Sequence, residues 1–344
     1  MKRIVVLVAL VALVACGDND KPPCDRTSGE FCERLSDYAL FDDIATQSPA
    51  AGVIPYDLNT PLFSDYTTKQ RFFALPDGAS MTWADPGAFA APTGTIVIKT
   101  FGYLADRRMP AGDERLLETR LLVKQDDGWT GASYIYGDRT DDAELAIAGG
   151  TLDTSWIHDD GQERTNDYAV PNKNQCKNCH ADHDDTIDLL GPKARHINRD
   201  GQLEDLLARG VLAGAPDAST WPKAPPAFDP QSGTLDERAR AWLDINCAHC
   251  HNPNGAARTS GLYLDLAQAD PFDLGVCKPP VAAGGGSGGR LFGIVPGKPD
   301  DSILMFRLES AEADVKMPEI GRNLVDVEGS ALIREWIAAM PGGC

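Results

Sequence analysis

Residues 176–180 read Cys-Lys-Asn-Cys-His, and residues 247–251 read Cys-Ala-His-Cys-His. The chain holds six histidines in 344 residues, so composition alone seldom places one directly behind both cysteine pairs. Two thiols three positions apart on a turn reach both vinyl groups of one porphyrin as thioethers. The adjacent histidine then projects toward the iron from the same side. Two other chemistries use this thiol spacing. A zinc ribbon wants its pairs about 15–20 residues apart, and Cys179 and Cys247 lie much further apart. A thioredoxin-like dithiol expects a single pair inside a βαβ pattern, which the flanking sequence lacks. The expectation is haem c, two per chain. Cys176, Cys179, Cys247 and Cys250 would carry the covalent bonds, with His180 and His251 as proximal iron ligands.

Lys2 and Arg3 precede an unbroken apolar run from Ile4 to Ala15. That is the pattern of a signal-peptide core and is too short to span a bilayer. Leu13-Val14-Ala15-Cys16-Gly17 resembles the lipobox of bacterial lipoproteins. The resemblance implies cleavage before Cys16 and a lipid on its sulfur. The protein is then exported, lipid-anchored to the cell envelope, and periplasm-facing in a Gram-negative bacterium. An ordinary signal peptide with an incidental cysteine is the alternative. The formal charge of −19 argues against nucleic-acid binding and favours a basic or neutral docking face on any partner.

Nine cysteines are present. With Cys16 assigned to lipid and four to the motifs, Cys24, Cys32, Cys277 and Cys344 remain. An oxidising compartment lets them pair, and three connectivities are open. Proximity in sequence suggests Cys24–Cys32, which leaves Cys277–Cys344.

The pattern predicts an α+β multidomain chain. Residues 1–15 are the signal peptide and 16–35 a tether. Residues 36–170 read as a β-rich domain, sandwich or jelly-roll-like. The β-branched run Thr95 to Phe101 and the apolar run Leu116 to Lys124 support this, and Asp127-Gly128 ahead of Trp129 to Tyr136 is a hairpin signal. A helix is conceivable there only around Phe31 to Ala45. Residues 171–230 hold the first haem segment and a proline-rich linker, Trp221 to Pro230, with a helical pattern at Gln202 to Leu212. Residues 231–344 read as a second haem domain, mainly α. Thr234 and Glu237 form a capping box before a helix whose one face carries Leu235, Ala239, Trp242, Leu243 and Cys247. Asp301 to Leu308 looks helical. A closing helix, Val327 to Met340, presents Ile333, Trp336, Ile337 and Met340.

Residues 234–340 resemble a class I cytochrome c domain. In that family a helix ends in CxxCH, a later loop methionine is the distal ligand, and a C-terminal helix crosses the first. The resemblance implies Met317, followed by Pro318, as distal ligand of the second iron, and Trp336-Ile337 as the aromatic-aliphatic pair of the closing helix. Met305, inside an apolar helix, fits the core instead. Gly191-Pro192 resembles the Gly-Pro that follows CxxCH in cytochromes c, and His196 shortly after it is the first choice of distal ligand at the first iron. His183, His158 and Met109 are the others, and an open iron position is a further possibility. His249 reads as a solvent-facing spacer, and Arg290 as a partner for a haem propionate by family-like position. The run Asp182, Asp184, Asp185 and Asp188 lacks the spacing of a calcium loop and reads as a solvated face.

The chain as a whole is similar to a family of exported dihaem c-type cytochromes of unsettled role. The stretches that carry this are 54–65 (IPYDLNTPLFSD), 118–123 (ETRLLV), 171–176 (PNKNQC) and 277–280 (CKPP). It implies electron transfer between an envelope donor and acceptor protein. A dihaem peroxidase, with an open position at the first iron, is the alternative function.

Overall fold

The computed structural model describes residues 30–344 apart from 139, 140, 183, 185 and 282. The signal segment, Cys16, Cys24 and His183 lie outside the described residues. The expected helix around Phe31 to Ala45 is only a 3-10 turn at Leu35–Tyr38, followed by an antiparallel pair, β1 (Phe41–Asp43) and β2 (Ser48–Pro49).

The front region is mainly β and antiparallel. β3 (Val53–Pro55), β4 (Thr68–Ala74), β6 (Ile96–Leu104), β7 (Glu114–Gln125), β8 (Gly128–Ile135) and β9 (Glu144–Leu145) form one six-stranded sheet in that order. β7 and β8 are a hairpin turned at Asp126-Asp127, and Gly128 opens β8 at φ 141°, a conformation that suits glycine. β10 (Gly150–Ile157) and β11 (Glu163–Val170) are a separate hairpin. β5 (Met81–Thr82) pairs in parallel with β12 (Leu212–Ala213).

No second sheet of comparable size faces the six strands among the described residues, so the sandwich expectation is corrected. β6 is apolar on both faces because both are covered, but the covers are mostly not strands. On one face Phe72, Ile96, Ile98, Leu121 and Tyr134 pack on Leu35, Tyr38 and Leu40. On the other, Phe73 and Val97 pack on Leu189, Ile197, Leu203 and Leu206 at one end. Phe101 and Tyr103 meet Trp156 and Tyr168 of the β10–β11 hairpin at the other. Residues 189–212 thus share a core with the sheet.

Behind residue 170 the helices are α1 (Lys177–His180), α2 (Ala194–Ile197), α3 (Gln202–Ala208), α4 (Leu235–Asn246), α5 (Ile303–Leu308) and α6 (Val327–Ala339). They leave the larger share of this region in turns and loops, so "mainly α" overstates it. Prolines and glycines in 213–233 and 275–299 break the helical period there.

α4 begins as its capping box requires. Glu237 N donates to Thr234 Oγ1 at 3.2 Å, and Thr234 N donates to Glu237 Oε2 at 2.8 Å. Trp242, Leu243 and Cys247 then join Leu264, Met305, Leu308, Ile333, Trp336 and Ile337 in one core. α4 approaches α6 at Gly329, where a Cβ would stand 2.5 Å from Trp242 Cε2. The indoles are pinned as well: Trp336 Nε1 donates to Asp236 Oδ1 at 2.8 Å and Trp242 Nε1 to Asp326 Oδ2 at 3.2 Å. Cys277 and Cys344 are joined by a disulfide. Cys32 is disulfide-bonded too, and its expected partner, Cys24, is outside the described residues.

Gly329→Val should cost roughly 1–3 kcal/mol by overpacking this approach. The reading is a lower denaturation midpoint at unchanged slope; a midpoint equal to the parent's would contradict the Gly329–Trp242 contact as a packing constraint.

Candidate functional site

The first motif is wound by a capping box of its own. Gln175 N donates to Asn172 Oδ1 and Asn172 N to Gln175 Oε1, each at 2.9 Å. The 3-10 turn Lys173–Cys176 runs straight into α1, so both thiols and His180 sit on one continuous coil. Cys176 presses on β8, where a Cβ added to Gly131 would lie 3.6 Å from its Sγ. His180 Nδ1 is 3.1 Å from the carbonyl oxygen of Asp188. Desolvation pushes the His180 pKa down, which keeps the ring neutral. A neutral imidazole donating from Nδ1 to a carbonyl has its Nε2 lone pair free for a metal.

The second motif closes α4. Cys247 N donates to Leu243 O at 2.8 Å and His251 N to Cys247 O at 2.9 Å. Cys247 is buried, and burial pushes its thiol up to about 12. His251 Nδ1 faces Ser260 Oγ at 3.4 Å, and burial pushes this histidine down to about 4. Burial thus favours a neutral ring at both proximal candidates, and all four motif cysteines are free of disulfides. This donor set fits haem c.

The two motifs meet. Cys250 Sγ is 3.7 Å from the carbonyl oxygen of Asn178, inside the first motif. The ligand atoms of Cys179, His249 and Cys250 all lie within 4.8 Å of one another. Hydrogen bonds from Cys250 and His249 favour the Cys179 thiolate, and the Cys250 thiol is raised because it donates to Cys179. His249 is therefore no solvent-facing spacer. It points into the contact because the neighbouring motif covers its side of the turn.

Asp244 of α4 holds this arrangement. Its carboxylate accepts from Arg195 Nε at 2.7 Å, Arg195 Nη2 at 3.0 Å and His196 Nε2 at 2.6 Å, both residues being on α2. Leu266 N adds a fourth bond at 3.1 Å. Asn59 Nδ2 ties the same point to Arg195 O and Ala224 O. Burial alone would raise the Asp244 carboxyl, but the bonds from His196 and Arg195 outweigh it and hold it far below the usual range. Burial also lowers His196, so it donates as a neutral ring while Arg195 supplies the charge.

His196 Nε2 is committed to Asp244, so only Nδ1 of this ring is left to face an iron. Of the other candidates, His158 accepts from Trp156 Nε1 at 3.3 Å and stacks edge-on with Tyr66, and Met109 is 60% exposed. Met317 is half-buried, and its N donates to Arg307 O at 3.0 Å. The charge of Arg307 acts on His251 and that of Glu319 on Cys250, so the loop carrying Met317 lies beside the second motif. Met305 is core, as expected. Arg290 spends its donors on Asp300 O and Gly288 O and lies over the Phe306 ring. Asp182 Oδ1 accepts from Asp184 N and Thr186 N and shapes a turn. A surface hollow of about 520 Å³, lined by Ile135, Tyr136 and Glu144 among others, sits at the β8–β9 edge and includes neither motif.

Sequence reasoning missed Asp244. What marks it out is the approach of Arg195 and His196, which are remote in sequence, and no local pattern announces that. Comparison with protein-family models, curated proteins and solved structures finds no match to the chain.

Asp244→Asn should cost about 3–5 kcal/mol at pH 7, because Arg195 is left buried without its counter-charge. The folded carboxyl is depressed, so its contribution is fully present above the unfolded value of about 3.9 and is lost as pH falls through the folded value. Urea denaturation across this range should show parent and variant converging in acid; a gap that widens there would refute the charge-pair account.

Proposed function

We propose that the protein transfers electrons at the cell envelope through two covalently bound haems, one at each CxxCH motif. The observation that carries this reading is the contact between the motifs. Electron transfer slows steeply with distance, and the two attachment points are neighbours although remote in sequence. Haem supplies the reversible one-electron change when bound. The chain's own residues do the rest. Cys176 and Cys179, and Cys247 and Cys250, anchor. His180 and His251 offer neutral Nε2 atoms whose orientation is fixed at Nδ1 by Asp188 O and Ser260 Oγ. In this reading residues 231–344 act as a class I cytochrome c-like unit, with Met317 as distal ligand of the second iron. A neutral thioether favours Fe(II) and raises the potential. Export and a lipid at Cys16 complete the proposal. The surplus of acidic side chains suits a basic or neutral face on the donor or acceptor.

The clustering of Cys179, His249 and Cys250 favours one second reading, a soft divalent ion such as zinc bound between the motifs. Intact mass of protein matured in a host able to attach haem separates the two. Two added macrocycles are expected; free thiols with bound zinc would overturn the haem reading.

Met317→Ala should lower the midpoint potential of one haem and leave the other nearly unmoved. Potentiometric titration checks this, and unchanged potentials at both haems would remove Met317 from the ligand set. Difference spectra with and without peroxide should show two low-spin haems indifferent to it; a responsive high-spin band would favour the peroxidase alternative.

A further inference from the structure

The sheet face beneath Cys176 has a basic row with an apolar row on one side and a mixed row, carrying Lys69 and Glu118, on the other. Register aligns Phe73, Val97, Leu122 and Gly131 in one row across β4, β6, β7 and β8, and Lys69, Phe101, Glu118 and Ile135 in another. Between them runs the row Arg71, Lys99, Arg120, Ser133. Three cations stand abreast on adjacent strands, an arrangement that destabilises a sheet by itself.

Among the described residues Arg120 alone of the three is bonded to a buried counter-charge. Its Nη2 donates at 2.5 Å to Glu118 Oε1, which also accepts from Tyr168 Oη at 2.7 Å. Arg71 is 7% exposed; among the described residues its ion pair is with the exposed Asp57 at 3.7 Å, and its Nη2 has no hydrogen-bond partner. Lys99 Nζ rests 4.7 Å from the Phe101 ring centre and donates no hydrogen bond among the described residues. Ser133 Oγ, at the end of the row, is buried and likewise unpartnered. Guanidinium, ammonium and hydroxyl groups left unmatched together call for an anion with several oxygens. The first motif lies beside this row: Gly131, in the adjoining row, meets Cys176, and the charges of Arg120 and Lys99 act on Cys176 and His180.

We propose that Arg71, Lys99 and Ser133 bind the propionate carboxylates of the haem attached at Cys176 and Cys179. This rests on the haem reading of the first motif. The β-rich region then builds one wall of the first haem's pocket, and its fork-shaped guanidinium suits a carboxylate better than a point charge does. Adding an electron to the iron adds negative charge, which an uncompensated carboxylate opposes. Masking the carboxylates therefore raises the first haem's potential.

The test is potentiometric titration of both haems in the full-length holoprotein, with Arg71→Met, Lys99→Met and Ser133→Ala. Each should shift the first midpoint downward, least for Ser133→Ala, and leave the second in place. Arg71→Lys should restore part of the shift. First-haem potentials equal to the parent's, at intact haem content, overturn the assignment. Loss of the low-spin band in Lys99→Met also overturns it, since Lys99 would then be an iron ligand. If the parent's first midpoint moves with added citrate at constant ionic strength, the row serves a free carboxylate and the proposal fails. Intact mass of the same samples separates the two levels. A parent lacking the first macrocycle removes the haem reading and this inference together, whereas full haem content with unmoved potentials removes only this inference.

Discussion

The buried carboxylate of Asp244 is the joint on which the molecule turns. It is a single residue on α4, yet it collects the guanidinium of Arg195, the imidazole of His196 and the backbone of Leu266. α2 follows the first motif and α4 leads into the second. One carboxylate therefore fixes where two distant segments sit relative to each other. Burying such a charge is costly unless its partners are complete, and here α2 supplies the two side chains and the segment after the second motif supplies the Leu266 backbone. The same bond takes Nε2 of His196 out of iron chemistry and leaves that ring only Nδ1.

A second carboxylate does similar work at the other edge. Asp65 is 3% exposed and accepts from the backbone of Asn323 and Leu324 and from Asn166 Nδ2. The front sheet, the hairpin β10–β11 and the segment leading to α6 are tied through it.

Some of this was legible in the sequence. The capping box at Thr234 and Glu237, the closing helix with Trp336 and Ile337, and the β-rich front follow from local rules of capping and periodicity. The motif residues stand out in the sequence because the chemistry proposed for them needs adjacent positions. What stayed hidden depends on partners far away in sequence. Asp244 looks like an ordinary helical acid until Arg195 is brought to it. His249 looks like a spacer until the other motif covers it. The sandwich expectation failed because a strand apolar on both sides does not say what covers it. Here the cover is the entry segment around Leu35 to Leu40 on one side and α2, α3 and the hairpin on the other.

The bond between Cys277 and Cys344 closes a covalent ring with a sequence separation of 67. Met317, α5 and α6 all lie on that ring. A closure of this length removes enough freedom from the unfolded chain to stabilise the fold by roughly 4 kcal/mol. It also means that the segment facing His251 cannot peel outward by unravelling from its far end. Opening there must proceed as a bulge anchored at both feet, so cutting this one bond with a reductant changes the way this segment opens as well as how firmly the protein stands.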